Sequence, residues 1–443
     1  MTGVVSPVVD RLGVRLRAPG PGAEPAVLLG LALRRNPRRA QLLVSRVLGK
    51  HVPTDPRLVR GAALLLGALV TDSLAGRPVR ALPVDLLHAA VRGEPGAAAA
   101  LPAHREPLDA LVLGYAETAT ALGHGVGEAL VADVLHSTRR PVPGFAAAGG
   151  FAEEHSHATD HLLLPRDPAL LRADRPLVLV DDELSTGRTA LNTITALHGV
   201  APRERYVVAA LVDARPDDAL ASGVAALGAR LDVVALSRAA VDVPPDVHAR
   251  AAALLAALPE GHLPATTLRE GGLPATAAVE RVDLAAGWPP GLPAGGRHGF
   301  AAADHARLDA ALPALAARLD VAAGERTLVL GTEELMALPL RLAQTLAEGV
   351  DGSGGADVRF STTTRSPAVV VDEPGYALRD GMAFPSHDDP ADGPGDRFAY
   401  NVGTGWDHVV VVVDPPADTP ALRTGLLAAL APRTRRTTVV VTP

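Results

Sequence analysis

Residues 177–189, L-V-L-V-D-D-E-L-S-T-G-R-T, constrain the fold more than any other part of the chain. Four consecutive apolar residues, 177–180, read as a strand buried on both faces, the pattern of a parallel sheet. Asp181 and Asp182 follow, then the short run Ser185, Thr186, Gly187, Arg188 and Thr189, then a helical segment over 190–197. A strand feeding a loop and then a helix puts the loop at the carboxyl edge of the sheet, where open α/β folds bind ligands. Small loop residues let backbone N–H groups close around a phosphate, and the helix N-terminus adds the positive end of its dipole. Two adjacent carboxylates can accept hydrogen bonds from the two hydroxyls of a ribose. The whole suits a sugar phosphate. The plainer alternative is a strand-to-helix turn capped by Ser or Thr, but a cap does not need two carboxylates at a buried strand end. No Gly-Lys-Ser/Thr follows, so this is not a P-loop.

With 443 residues the chain can hold two or three domains. It is 48% hydrophobic but only 3% aromatic, so its core must be built from Ala, Leu and Val. A net charge of -7 argues against a general nucleic-acid binder. The absence of cysteine excludes disulfides and thiolate metal sites. Residues 1–17 do not read as a signal peptide, and the longest apolar run, 61–70, is too short to span a bilayer. The expectation is a cytoplasmic protein with neither membrane nor nucleic acid as a partner. Lys50 is the single lysine, all other Lys/Arg positions being arginine. It is either a chance survivor or a site needing a compact ammonium.

Three regions emerge. Residues 1–235 alternate short apolar strands with Ala/Leu-rich helices. Residues 236–300 are rich in Pro, Gly and Ala and read as a connector with one helix, and residues 301–443 return to α/β alternation. The third region echoes the first. L-V-L-G at 111–114 recurs at 328–331, an offset of 217, with Glu117 matched by Glu334. S-T-R-R-P at 137–141 is echoed by T-T-R-S-P at 363–367, and Val180-Asp181-Asp182 by Val413-Asp414. The second copy has lost the second acid, and Pro420 stands where the loop glycine would be. Proline lacks the N–H that a phosphate cradle uses.

The strand, acid pair and Ser-Thr-Gly-Arg-Thr loop resemble the signature of the type I phosphoribosyltransferases. The chain as a whole resembles a bacterial family of them found with tellurium-resistance and stress-response gene clusters. There, a phosphoribosyltransferase domain precedes a domain named for a Thr-Arg-Ser-Pro (TRSP) motif, here at 364–367. L-G-K-H at 48–51, E-E-H-S-H at 153–157 and G-T-E-E-L-M at 331–336 carry the same resemblance. It implies a type I phosphoribosyltransferase fold, Rossmann-like with a mostly parallel sheet, plus a second, degenerate α/β domain of the same kind. It also implies 5-phosphoribosyl 1-diphosphate (PRPP) as donor, Mg²⁺ as cofactor, and an open acceptor, anionic and non-standard compounds included. The product would be a nucleoside-like metabolite of nucleotide metabolism. A homodimer and partner enzymes from the same gene clusters remain options.

On this resemblance Asp181, Asp182, Ser185, Thr186, Gly187, Arg188 and Thr189 hold the ribose and its 5'-phosphate. Tyr115, Ala116, Glu117 and Thr118 form a pyrophosphate loop, Tyr115 being equally readable as core. Residues 137–161 make a closing lid, in which Glu153, His155 and His157 are candidates to take a proton, while Arg139, Arg140 or Lys50 stabilises the leaving pyrophosphate. With Asp181 and Asp182 these form the expected catalytic set. His155, His157 and His161 match no familiar zinc spacing, and no protein ligand set for a metal is expected. Arg46, Lys50 and His51 lie in a hood over the acceptor. Glu333, Glu334, Thr364, Arg365 and Ser366 mark a second site in the C-terminal domain, which completes the first site, docks a partner or binds a second ligand. Ser185 stands where purine-salvage relatives carry an aspartate, which disfavours hypoxanthine or guanine as acceptor. A non-catalytic PRPP sensor is the alternative reading, and nucleotide hydrolysis a weaker third.

Overall fold

The computed structural model describes residues 6–34, 36, 39–152, 160–258, 278–349, 356–388 and 395–443. Unbroken Leu/Val runs make its central strands. In chain order the first half contributes β1 (Leu29–Leu33), β2 (Gln41–Ser45), α1 (Pro56–Leu74), β3 (Leu111–Gly114), α2 (Thr120–Leu130), β4 (Asp133–His136), β5 (Gly149–Ala152), β6 (Asp160–Leu163), β7 (Leu177–Leu184), α3 (Arg188–Val200), β8 (Arg205–Asp213) and β9 (Arg230–Arg238). The second contributes β10 (Ala278–Asp283), β11 (Arg326–Gly331), α4 (Ala337–Glu348), β12 (Asp357–Thr362), β13 (Gly381–Pro385), β14 (Asp396–Tyr400), β15 (Trp406–Val413) and β16 (Thr434–Val441).

Two five-stranded sheets result, each parallel throughout. The first runs β9-β8-β7-β3-β4 and the second β10-β16-β15-β11-β12. Leu177, Val178, Leu179 and Val180 are fully buried, as are Val409 to Val413 in the second sheet. Strands of a parallel sheet, covered on both faces, have this composition.

The two orders match. β3, β4, β7 and β8 occupy the same places as β11, β12, β15 and β16. Each half also inserts an antiparallel hairpin after its second strand, β5–β6 in one and β13–β14 in the other. The second residue after that strand clips to the hairpin in both, Thr138 to Leu162 and Thr364 to Phe398. Gly114 and Gly331 end the first strands. A Cβ at either would lie 2.8 Å from the Ala119 oxygen or 2.5 Å from the Leu335 oxygen, so only glycine admits the tight turn into the helix.

The halves differ at one edge. The fifth strand of the first sheet, β9, comes last and runs three residues past 235, the boundary expected from the sequence. The fifth strand of the second sheet, β10, comes first and is drawn from the connector, whose described helix spans Val247–Ala257. Its Val279 and Val282 pack inward at partly and fully buried positions.

The halves meet at their strand carboxyl ends. Thr54 and Phe360 form a β-bridge across the seam. On the flank, Glu128 of α2 is buried and accepts from Arg60, Arg105 and Arg341, the last from α4. The β1–β2 hairpin roofs the first sheet, and Val369 and Ala377 of the second half donate backbone hydrogen bonds to Leu33 and Leu31 of that roof.

Candidate active site

The acid pair sits inside the strand. β7 continues past Val180 through Asp181 and Asp182 to Leu184, so the carboxylates are held by sheet pairing to β8 (Asp181 opposite Ala210). Both are half-buried. Asp181 Oδ1 accepts the Asp182 N–H at 2.9 Å, which fixes the first carboxylate. Glu183 is bound by Arg39 of the roof hairpin at 2.6 Å. Gly187 takes φ +75 at the N-cap of α3, and the Arg188 N–H is received by Thr186 Oγ1 at 3.3 Å. The first turn of a helix has N–H groups without intrahelical acceptors, and here they open beside the acid pair.

The turn after β3 lies alongside, its Tyr115 N–H bonded to the Val180 carbonyl at 3.1 Å. This neighbourhood of the first and third strands is the switch point where doubly wound sheets bind ligands. Tyr115 is 3% exposed, bonded to Thr193 Oγ1 at 2.9 Å, and packs on Phe151, so its ring is part of the core. The Ala116–Glu117 peptide is cis. The Ala116 N–H donates to Ser137 Oγ at 2.9 Å, and Ser137 Oγ lies 2.8 Å from His161 Nδ1. The hairpin thus positions the turn through two side chains.

Lys50 is brought into this turn. Its Nζ donates to Thr118 Oγ1 at 2.7 Å and lies 3.5 Å from Glu117 Oε1. Neighbouring His51 is buried at 5.6 Å from the Tyr400 ring, and its Nε2 has no hydrogen-bond partner among the described residues. Burial, with the charges of Lys50 and Arg34 nearby, pushes its pKa well below 6.5, so it is neutral at pH 7. Arg46 goes elsewhere. It lines a cavity of about 490 Å³ in the seam, with Thr54, Arg57, Arg359, Arg379 and Asn401 among its walls. No residue of 115–118 or 181–189 lines that cavity.

The lid residues divide. Glu153, His155 and His157 lie outside the described residues. Arg139 donates its backbone N–H to Glu334 Oε1 at 2.8 Å, and Arg140 pairs with Asp414 at 2.8 Å. The expected second-site residues are mutually engaged. Glu334 also accepts from Thr138 Oγ1 at 2.7 Å and faces Arg297 at 3.3 Å. Burial opposes its ionisation, but Arg297, His136 and these hydrogen bonds outweigh it and hold the carboxyl at about 2. Glu333 pairs with Arg365 and Arg397, each at 2.7 Å. Thr364 Oγ1 accepts the Ser366 N–H at 3.2 Å, and the Tyr400 hydroxyl donates to the Ser366 carbonyl at 2.9 Å. Beyond Asp414 the loop folds as a short 3-10 turn, Pro415–Ala417. Thr419, the counterpart of Thr186, donates to the His387 carbonyl at 2.7 Å. The place of the phosphate loop is filled by the chain itself.

Ser137, Arg39 and Glu183 are site residues that sequence reasoning misses, Ser137 being marked only as the first residue of the lid. His161 figures there only as the lid's last residue and among the histidines without a zinc spacing. Among the described residues no group of three or more His, Cys, Asp or Glu could hold a metal.

One edge of a parallel sheet thus brings together an acid pair, a hydroxyl-rich loop at a helix N-terminus and an adjacent turn. Residues 28–240 match the family model described as phosphoribosyl transferase (PRTase_2), and residues 294–430 match the TRSP domain found C-terminal to it. The chain thus carries a phosphoribosyltransferase (PRTase_2) domain followed by a TRSP domain. No curated protein matches it. Solved structures similar to it include adenine phosphoribosyltransferase of Trypanosoma brucei with AMP, pyrophosphate and ribose-5-phosphate. That pair is 11% identical, covering 48% of this chain and 76% of the other, with a TM-score of 0.29. Another is the adenine phosphoribosyltransferase of Giardia lamblia with 9-deazaadenine, 15% identical, covering 48% of this chain and 95% of the other, with a TM-score of 0.27. Among the described residues no helix is long and apolar enough to cross a membrane.

Proposed function

We propose that the N-terminal domain transfers 5-phosphoribose from PRPP to a small-molecule acceptor and releases pyrophosphate. The observation that carries this reading is the junction of β7 and β3, where Asp181 and Asp182 stand between the Ser185–Thr189 loop and the 115–118 turn. The sugar hydroxyls would lie on the acid pair, the 5'-phosphate in the loop at the start of α3, and the diphosphate against Thr118 and Lys50. The C1–O bond breaks with its electron pair leaving on pyrophosphate. The acceptor's lone pair forms the new bond to C1. Lys50 would stabilise the charge that develops on the leaving group. The hard carboxylate oxygens of Asp181 and Asp182 suit Mg²⁺ brought in with the diphosphate, since that ion uses one or two protein carboxylates plus substrate phosphates. Magnesium would neutralise the pyrophosphate. Roof and lid would exclude water, which would otherwise compete as acceptor. Ser185 supports an acceptor other than hypoxanthine or guanine, on the way to a nucleoside-like product.

Calorimetry with PRPP and Mg²⁺, on the intact protein and on Asp181→Asn/Asp182→Asn, tests the donor site. Binding lost in the double variant supports it. Pyrophosphate release dependent on a cell-extract metabolite then supports transfer. Binding without release from any extract would move the chain to the sensor reading, and no binding would sink both.

A further inference from the structure

The contacts across the seam are reciprocal. Glu117 and Glu334 stand at the same place in the two halves, three residues after Gly114 and Gly331. Glu334 reaches the end of the other half's second strand, at Thr138 Oγ1 and the Arg139 N–H. Glu117 is met by Arg365, which follows Thr364 as Arg139 follows Thr138, with Nε 3.7 Å from Oε2. Residue i touching j while j's counterpart touches i's is the mark of a two-fold contact. The TRSP domain therefore stands where a second copy of the first domain would stand in a symmetric dimer.

Only one of the two exchanges is settled. Glu334 is buried in short hydrogen bonds. Glu117 is 8% exposed and has cations on both sides, Lys50 at 3.5 Å and Arg365 at 3.7 Å, neither at the 2.7–2.9 Å of a charge-assisted hydrogen bond. Arg365 is anchored from behind, its Nε bonded to Glu333 Oε2 at 2.7 Å. A fixed arginine of one domain thus overhangs the turn of the other. A carboxylate there would by itself repel a diphosphate, so an anion can enter only if the flanking cations outweigh it.

We propose that Arg365 of the TRSP motif belongs to the diphosphate subsite of the N-terminal domain. It is supplied across the pseudo-two-fold seam and acts with Lys50, while Glu117 holds both cations in place before the donor arrives. The inference rests on the PRPP reading above. When the C1–O bond breaks, the electron pair stays on the pyrophosphate oxygen, and Arg365 and Lys50 lie beside the charge it carries.

The test separates the two ends of the donor. The full chain and Arg365→Ala are titrated with ribose 5-phosphate, with inorganic pyrophosphate plus Mg²⁺, and with PRPP plus Mg²⁺. The variant is expected to bind the two diphosphates about tenfold more weakly, the usual order for one charged hydrogen bond, and to keep its ribose 5-phosphate affinity. Unchanged diphosphate binding in the variant overturns the inference and leaves the donor reading standing. An intact protein that binds none of the three overturns both. If Arg365→Ala loses ribose 5-phosphate as well, its fold has failed. Arg365→Lys, which keeps the charge opposite Glu333, is then read instead, with weaker pyrophosphate at constant ribose 5-phosphate supporting the inference and equal affinity overturning it.

Discussion

The two halves share a strand order, a hairpin after the second strand, a glycine at the first strand's end and a threonine that clips the second strand to the hairpin. They part at the third strand. In one half Asp181 and Asp182 lead into an open loop at the start of α3. In the other Asp414 pairs with Arg140 and Arg297, and the loop behind it is filled by Pro415–Ala417 and the His387 carbonyl. The same frame thus carries the proposed ligand site in one copy and an interface in the other. What changed was the side chains at the strand ends, not the sheet that presents them.

The largest effect is expected at the interface: Glu334→Ala leaves Arg297 and the Thr138–Arg139 donors without their buried acceptor. It should cost roughly 3–5 kcal/mol in chemical denaturation, as broken buried ion pairs do. A loss below 1 kcal/mol would mean the seam is not what holds the halves together. Next comes Asp181→Asn/Asp182→Asn, expected to weaken ribose 5-phosphate about a hundredfold, or ~3 kcal/mol. Thr419→Ala in the other half should leave ligand binding unchanged, and a comparable loss there would reveal a second working site.

Acid should weaken the seam in two stages. Burial, aided by Arg297 and His298, lowers His136 from 6.5 to about 4 despite Glu334 and its hydrogen bond to the Ser137 carbonyl. The unfolded chain binds that proton first, so stability is full above pH 6.5 and falls between 6.5 and about 4, by on the order of 1–3 kcal/mol. Glu334, held at about 2, keeps its contribution above 4.5 and loses it as pH falls through that value toward 2. Flat stability between pH 7 and 4 in denaturant titrations would contradict the buried neutral imidazole. Smallest are Gly114→Ala and Gly331→Ala, each about 1–3 kcal/mol from forcing a Cβ against a backbone oxygen. Near-equal losses are expected, and a marked difference would show that the turns are not equivalent.

Much of this was readable from the chain. The apolar runs at 111–114 and 177–180 announced buried strands because a parallel sheet leaves no polar face. The echo at offset 217 survived because strand and turn residues are fixed by packing. The acid pair was legible as chemistry, yet its place within β7 was not, since alternation says nothing about where sheet pairing stops. Tyr115 illustrates the same limit. Only the partner Thr193 and the ring of Phe151 show that it is core. The Lys50–Thr118, Arg39–Glu183 and Arg365–Glu117 contacts link residues 68, 144 and 248 positions apart, and no local pattern encodes such pairs.

The borrowed edge strand carries a practical consequence. β10 pairs with β16 from Ala278 to Asp283, yet the match to the TRSP domain starts at residue 294. A fragment cut at that start would present the backbone of Thr434–Val441 along an open edge ending in three valines. Such an edge invites other chains to add on. Aggregation of that fragment would report the missing strand rather than an inability of the domain to fold, and a cut placed before residue 278 would restore its own cover.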